Sequence, residues 1–125
     1  MKIGIARLVD DLSVMGYQNV ETKVDTAGVS YAVLKEFEIP AGSFAGRVID
    51  LAIPAPVDYP RSVAASIHIK ASPLLTNQGQ VAGIRNVCPS NLGGEWQYWS
   101  YQLIVPPANP TAELITKIND IFRKN

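Results

Sequence analysis

The sequence predicts an α+β domain with an N-terminal helix, a four-stranded antiparallel meander, a long loop and a C-terminal helix. Three observations lead there. Apolar residues recur at helical spacing near both ends of the chain; between them lie period-two runs rich in β-branched and aromatic residues; and short glycine- or proline-containing turns separate those runs. With 125 residues, the chain suffices for one domain, 1–125, burying a core without metals or disulfides.

Ile3, Ala6, Leu8, Val9, Leu12 and Met15 form the first helical pattern, with Arg7, Asp10 and Asp11 on the other face, and Gly16 supplies a stop. Residues 17–25 alternate as a first strand. Thr26-Ala27-Gly28 then turns the chain into a second strand, 29–37, antiparallel to the first. Pro40-Ala41-Gly42-Ser43 is the next turn signal, followed by a third strand over 47–53 whose alternation is expected to bury Val48 with its other apolar positions. The run Pro54-Ala55-Pro56-Val57-Asp58-Tyr59-Pro60 has too many prolines for a central strand, because each lacks a backbone donor and fixes φ. A rigid, extended excursion is expected there. Residues 62–70 alternate around Val63, Ile67 and Ile69 as a fourth strand. Residues 72–94, polar and glycine-containing, read as a long loop, a kind of segment that is usually functional or disordered in a compact domain. Order returns over 96–105. After Pro106-Pro107, Asn109 or Thr111 caps a last helix that carries Leu114, Ile115, Ile118, Ile121 and Phe122 on one stripe and ends at Arg123 and Lys124.

Composition excludes several classes of function. Eleven basic and eleven acidic residues leave no net charge, and so no global field for nucleic acid or an anionic membrane. A lone cysteine cannot form an internal disulfide, and no apolar run approaches the roughly 20 residues of a membrane span. Met1-Lys2-Ile3-Gly4-Ile5 meets Arg7 and Asp10 too soon for a signal peptide, so a soluble, cytoplasmic protein is expected.

Most catalytic constellations are missing. His68, the only histidine, lies between Ile67 and Ile69 on a strand and has no second histidine or cysteine pair with which to bind zinc, so a structural role and no metal site are expected. No Gly-x-Ser-x-Gly elbow is present. Gly42, Gly46 and Gly93-Gly94 lack the strand-to-helix setting of a phosphate loop. Carboxylates are scattered apart from Asp10-Asp11.

Cys88 stands out by context. A free cysteine is by default a small buried hydrophobe, but here Asn86, Pro89, Ser90 and Asn91 surround it in what reads as a polar loop, where a thiol is open to reaction. Arg85 is the only cation close in sequence. A thiol near its reference pKa of about 8.5 is only a few per cent thiolate at pH 7, which suits an already activated acyl group better than an amide.

The block Gly42-Ser43-Phe44-Ala45-Gly46, Ile49-Asp50-Leu51-Ala52-Ile53-Pro54 and Asp58-Tyr59-Pro60, together with Cys88 and Trp96 eight positions later, resembles the ubiquitin-conjugating enzyme superfamily and its bacterial relatives. The resemblance spans nearly the whole chain. It implies a UBC-like fold and transfer without a cofactor: an activating enzyme hands the carboxyl end of a ubiquitin-like protein to Cys88 as a thioester, and an amine then displaces the thiolate. It also implies that the first helix meets the activating enzyme, which makes Lys2, Arg7, Asp10 and Asp11 the candidates for partner contact. Where the family has a His-Pro-Asn motif this chain has Ser72-Pro73-Leu74, so Asn86, Asn91 or a backbone amide would support the oxyanion or the loop. The stretch from there to Cys88 is longer than usual in the family, and the C-terminal part shorter.

Two other readings belong to different classes. The lost His-Pro-Asn also fits a catalytically silent module that holds a ubiquitin-like protein or its activating enzyme. A weaker third reading has Trp96, Tyr98, Trp99 and Tyr101 line a small-ligand pocket, but core and loop packing is the expected role of such a cluster.

Overall fold

Gly4 opens helix α1 (Gly4–Val14) in a conformation that suits glycine, with φ +67°. A Cβ there would stand 3.0 Å from the carbonyl oxygen of Val57, and the Gly4 N–H donates to the carbonyl of Tyr59 at 2.9 Å. The start of the helix is thereby fixed to the 56–59 turn, and one of its orphan donors is satisfied. This computed structural model describes residues 3–63, 66–72, 75, 86–100 and 110–124; at Asn86, Cys88 and Pro89 it describes the backbone. Lys2, Pro73, Leu74, Tyr101 and Asn109 lie outside the described residues.

After α1 come β1 (Val20–Val24), β2 (Ser30–Glu38), β3 (Val48–Ala55), β4 (Ser66–Lys70), β5 (Asn86–Ser90), β6 (Gly93–Ser100) and α2 (Pro110–Arg123). The strands form one six-stranded sheet in the order β1-β2-β3-β4-β6-β5, and every neighbouring pair is antiparallel. The first four strands are therefore a meander, as their alternation predicts. The hairpin of β5 and β6 extends it, with β6 beside β4 and β5 at the margin.

Both helices pack on one face of the sheet. Leu8 and Leu12 of α1 and Leu114, Ile118 and Phe122 of α2 share a core with Leu34, Leu51, Ile53, Ile67, Ile69 and Trp99. The α2 stripe is buried as its spacing predicts, whereas the α1 stripe is narrower, with Ile3 and Met15 exposed. Tyr31, Val33, Ala52 and Trp96 form a second cluster on alternate strand positions. Burying both faces of the central strands requires apolar residues at both parities, and β2 and β3 supply them.

Four expectations need correction. Val48 is 55% exposed, because the inward parity of β3 belongs to Ile49, Leu51 and Ile53. The proline-rich run is not an extended excursion: Pro54 and Ala55 complete β3 opposite Tyr31 and Ser30, where the described pairing with β4 has already ended at Ala52. The chain then turns over 57–60, with Tyr59 fully buried and a cis Tyr59-Pro60 bond. The expected loop over 72–94 contains β5 and the start of β6, so the sheet has six strands rather than four. Thr111 is not a cap but lies inside α2, buried, after Pro110 at the first helical position, where a missing N–H costs nothing.

Candidate functional site

Cys88 stands in the middle of β5, and its Cα pairs with Tyr98 of β6, which pairs in turn with His68 of β4 and, through it, with Ala52 of β3. The expectation of a loop cysteine is thereby corrected: the backbone at Cys88 belongs to a β-ladder. Adjacent strands lie about 4.8 Å apart, so His68 is roughly 10 Å from Cys88 along this cross-strand row. That spacing does not make His68 a direct base for the thiol.

The hairpin that carries Cys88 is held at Ser90. Asn91 and Leu92 form its turn, Ser90 pairs with Gly93, and the ladder register slips between Pro89 and Ser90. The Leu92 N–H donates to Ser90 Oγ at 3.0 Å, a side-chain turn of the kind serine favours. The same oxygen lies 2.5 Å from His68 Nδ1. A histidine two strands away thus fixes the turn two residues after the cysteine.

His68 is 3% exposed and sits between aromatic rings, its centroid 4.7 Å from Tyr31 and 5.2 Å from Tyr98 in edge-to-face arrangements. Burial pushes its pKa from 6.5 down to about 4, and the Asp25 charge opposes this only weakly. The ring is neutral at pH 7, in keeping with the structural role expected for it. Tyr31 donates its hydroxyl to Asp25 Oδ2 at 2.7 Å. At Asp25 burial pushes the carboxyl pKa up, but hydrogen bonds from Tyr31, Val29 and Ala27 outweigh it and leave the pKa lowered. Burial, then the Asp25 bond, raise the pKa of Tyr31 and keep its hydroxyl protonated.

The two asparagines named as oxyanion candidates flank Cys88, Asn86 opposite Ser100 at the start of β5 and Asn91 exposed at the hairpin tip. Trp96 belongs to the second apolar cluster and Trp99 to the main core, so packing accounts for both. On α1, Arg7 Nε donates to Asp11 Oδ2 at 2.9 Å, and Asp11 also accepts from Thr111 at 2.6 Å. Because the single Thr111 hydroxyl proton goes to Asp11, the Tyr59 hydroxyl must donate to Thr111 Oγ1, 2.6 Å away. Arg7 and Asp11 are thus tied into a relay joining α1, the Tyr59 turn and α2, while Asp10 lies on the exposed side of the helix.

Ser90, Tyr31 and Thr111 were not singled out in the sequence as site residues. The signal for Ser90 is local, a serine two residues before the end of a turn between strands, but its bond to His68 spans 22 positions and has no local trace.

A pair of helices on one face of an antiparallel meander, followed by a hairpin that carries the only cysteine, is an α+β architecture compatible with a conjugating-enzyme-like fold. Residues 9–121 match Prokaryotic E2 family E, and the chain belongs to that family. Its E2-like membership associates it with ubiquitin-like conjugation in general. No curated protein matches the chain, and no solved structure does. Among the described residues, no helix is long and apolar enough to cross a membrane.

Proposed function

We propose that this protein is a conjugating enzyme that receives a ubiquitin-like protein as a thioester on Cys88 and passes it to an amine. The observation that carries the proposal is the family match, which spans both the meander and the Cys88 hairpin. The fixed turn at Ser90 and the eight-residue separation from Trp96 support it further.

In the first step the Cys88 thiolate attacks the carbonyl carbon of the thioester that joins the ubiquitin-like protein to its activating enzyme. A new carbon–sulfur bond forms and the activating enzyme's thiolate leaves. In the second step an amine attacks the same carbon, the carbon–nitrogen bond forms, the bond to Cys88 breaks, and the ammonium proton passes to water. Because a thioester is already activated, positioning of the amine and stabilisation of the oxyanion suffice, and no base adjacent to the cysteine is required. Asn86 and Asn91 are the side chains assigned to oxyanion or loop support. Lys2, Arg7, Asp10 and Asp11 are assigned to contact with the activating enzyme. Arg7 and Asp11 would do so as a prearranged pair.

The alternative is a silent module that binds the ubiquitin-like protein or the activating enzyme without reacting. Two features favour it, the Ser72-Pro73-Leu74 sequence in place of His-Pro-Asn and the placement of Cys88 in a ladder. Incubation with the activating enzyme, ATP and the ubiquitin-like protein, followed by intact-mass analysis, separates the two. A thiol-labile adduct lost in Cys88→Ala supports the enzyme; a stable complex without an adduct supports the module.

A further inference from the structure

We infer that β1 (Val20–Val24) pairs antiparallel with the same strand of a second copy, so that the chain forms a two-fold dimer through the edge of its sheet. This inference is independent of the chemistry at Cys88.

Strand β1 is open on the side away from β2. It stands first in the strand order, and Glu21, Thr22, Lys23 and Val24 are all exposed. The Lys35 N–H donates to the Asn19 carbonyl and the Asp25 N–H to the Val29 carbonyl, each at 3.0 Å. In an antiparallel ladder, residues bonded to one neighbour alternate with residues whose N–H and C=O point the other way. The odd positions from 19 to 25 therefore bond β2, and Val20, Thr22 and Val24 direct their backbone groups outward. A row of outward donors and acceptors is a template for a further strand, and neither a proline nor a bulge blunts it here.

The side chains of β1 say which strand fits. When Val20-Glu21-Thr22-Lys23-Val24 runs antiparallel to an identical strand about Thr22, Val20 falls opposite Val24, Glu21 opposite Lys23 and Thr22 opposite Thr22. A two-fold interface requires that self-complementarity. Val20 and Thr22 lie on the helix face, since they pair with Leu34 and Ala32, whereas Glu21 and Lys23 lie on the other face, opposite Val33 and Tyr31. The charge pairs thus form on one face and the valine and threonine pairs on the other. Moving the axis by one residue sets Glu21 opposite Glu21 or Lys23 opposite Lys23, so charge selects a single register. A lysine on an edge strand ordinarily repels a neighbour; here the glutamate of the second copy answers it.

Beside this edge, on the helix face, runs an open groove of about 350 Å³ lined by Ile5, Ala6, Val9, Asp10 and Ser13 of α1 and by Thr22. Val24, at the end of the strand, is 66% exposed. A two-fold axis through Thr22 and perpendicular to the sheet keeps the helices of both copies on the same side. The second copy's β1 then extends the floor of the groove, and apolar surface at Ile5, Val9 and Val24 leaves water along the seam.

The test is sedimentation velocity of the full chain at low salt over a dilution series, where a reversible monomer–dimer equilibrium is expected. Glu21→Lys and Lys23→Glu each replace two opposite-charge pairs with two like-charge pairs and should weaken the dimer roughly tenfold or more. The double variant, Glu21→Lys with Lys23→Glu, restores both pairs and should restore the dimer. Mixing the two single variants should give a heterodimer tighter than either homodimer. Thr22→Pro removes an outward N–H without touching the ladder to β2, so it should abolish the dimer and still unfold cooperatively. Because Glu21 and Lys23 are exposed, the charge variants decide the matter even if Thr22→Pro does not fold. A monomer at every concentration, which leaves the edge to an unlike chain or to solvent, overturns the inference. So does a dimer indifferent to the single swaps, or a double variant as weak as they are.

Discussion

His68 Nδ1 and Ser90 Oγ lie 2.5 Å apart, and this contact ties the turn of the hairpin that carries Cys88 to β4. Ser90 also accepts the Leu92 N–H, so one hydroxyl fixes both the turn and its attachment to the neighbouring strand. Ser90→Ala removes both bonds and leaves a buried imidazole nitrogen without its partner, which should cost about 1–3 kcal/mol in urea unfolding. Ser90→Thr keeps the hydroxyl and should recover most of the loss. If the hairpin also presents the thiol, Ser90→Ala should slow adduct formation as well.

The protonation of His68 gives stability a defined pH dependence. Its folded pKa, about 4, lies below the ordinary 6.5, so between those values the unfolded chain binds the proton and the native chain does not. Stability should therefore be fully present above pH 6.5 and fall as the pH drops toward 4. Unfolding free energies at pH 7 and pH 5 should differ by about 1–2 kcal/mol from this residue. In His68→Phe the difference should shrink by that amount. An unchanged slope in the variant would contradict the buried, neutral ring.

The relay from Tyr59 through Thr111 to Asp11 predicts non-additivity. Thr111→Val strands the buried Tyr59 hydroxyl and should destabilise by about 1–3 kcal/mol, whereas Tyr59→Phe removes the donor and should cost less. The double variant should fall short of the sum of the two, as expected for side chains in direct contact. Chemical denaturation of the three proteins checks this.

Legibility in the sequence followed the range of the interactions. The α2 stripe and the existence and order of the first four strands are written in local periodicity, although Val48 is exposed and Val63 precedes β4 rather than lying in it. Strand β5 was hidden because Asn86, Pro89 and Ser90 are poor strand formers, and its pairing with β6 compensates for weak propensity. Val48 was misassigned because β3 is apolar at both parities, so alternation alone did not say which parity faces the helices. At the site, Cys88, Asn86 and Asn91 could be named because they are adjacent in the chain. His68 could be assigned a structural role from its apolar neighbours, but its contact with Ser90 joins β4 to the far end of β5 and is set by strand order, which no local pattern encodes.

Gly4 predicts a cost that a second glycine can calibrate. Gly4→Ala meets both the positive φ and the Val57 carbonyl oxygen at 3.0 Å, and should lose about 1–3 kcal/mol. Gly28→Ala has a positive φ but open space around the added carbon, so it should lose only the backbone component. Equal losses would mean that the approach of α1 to the 56–59 turn is not tight.

The central claim is that Cys88 carries the acyl group, and the most direct measurement is the mass and thiol sensitivity of the product formed with the activating enzyme, ATP and the ubiquitin-like protein. The wild-type chain should gain the mass of one ubiquitin-like protein less one water, and lose it on treatment with excess thiol. Cys88→Ser should form, more slowly, an oxygen ester that resists thiol, and Cys88→Ala should form nothing. An adduct that persists in Cys88→Ala, or no adduct on the wild type despite stable binding of its partners, contradicts the account.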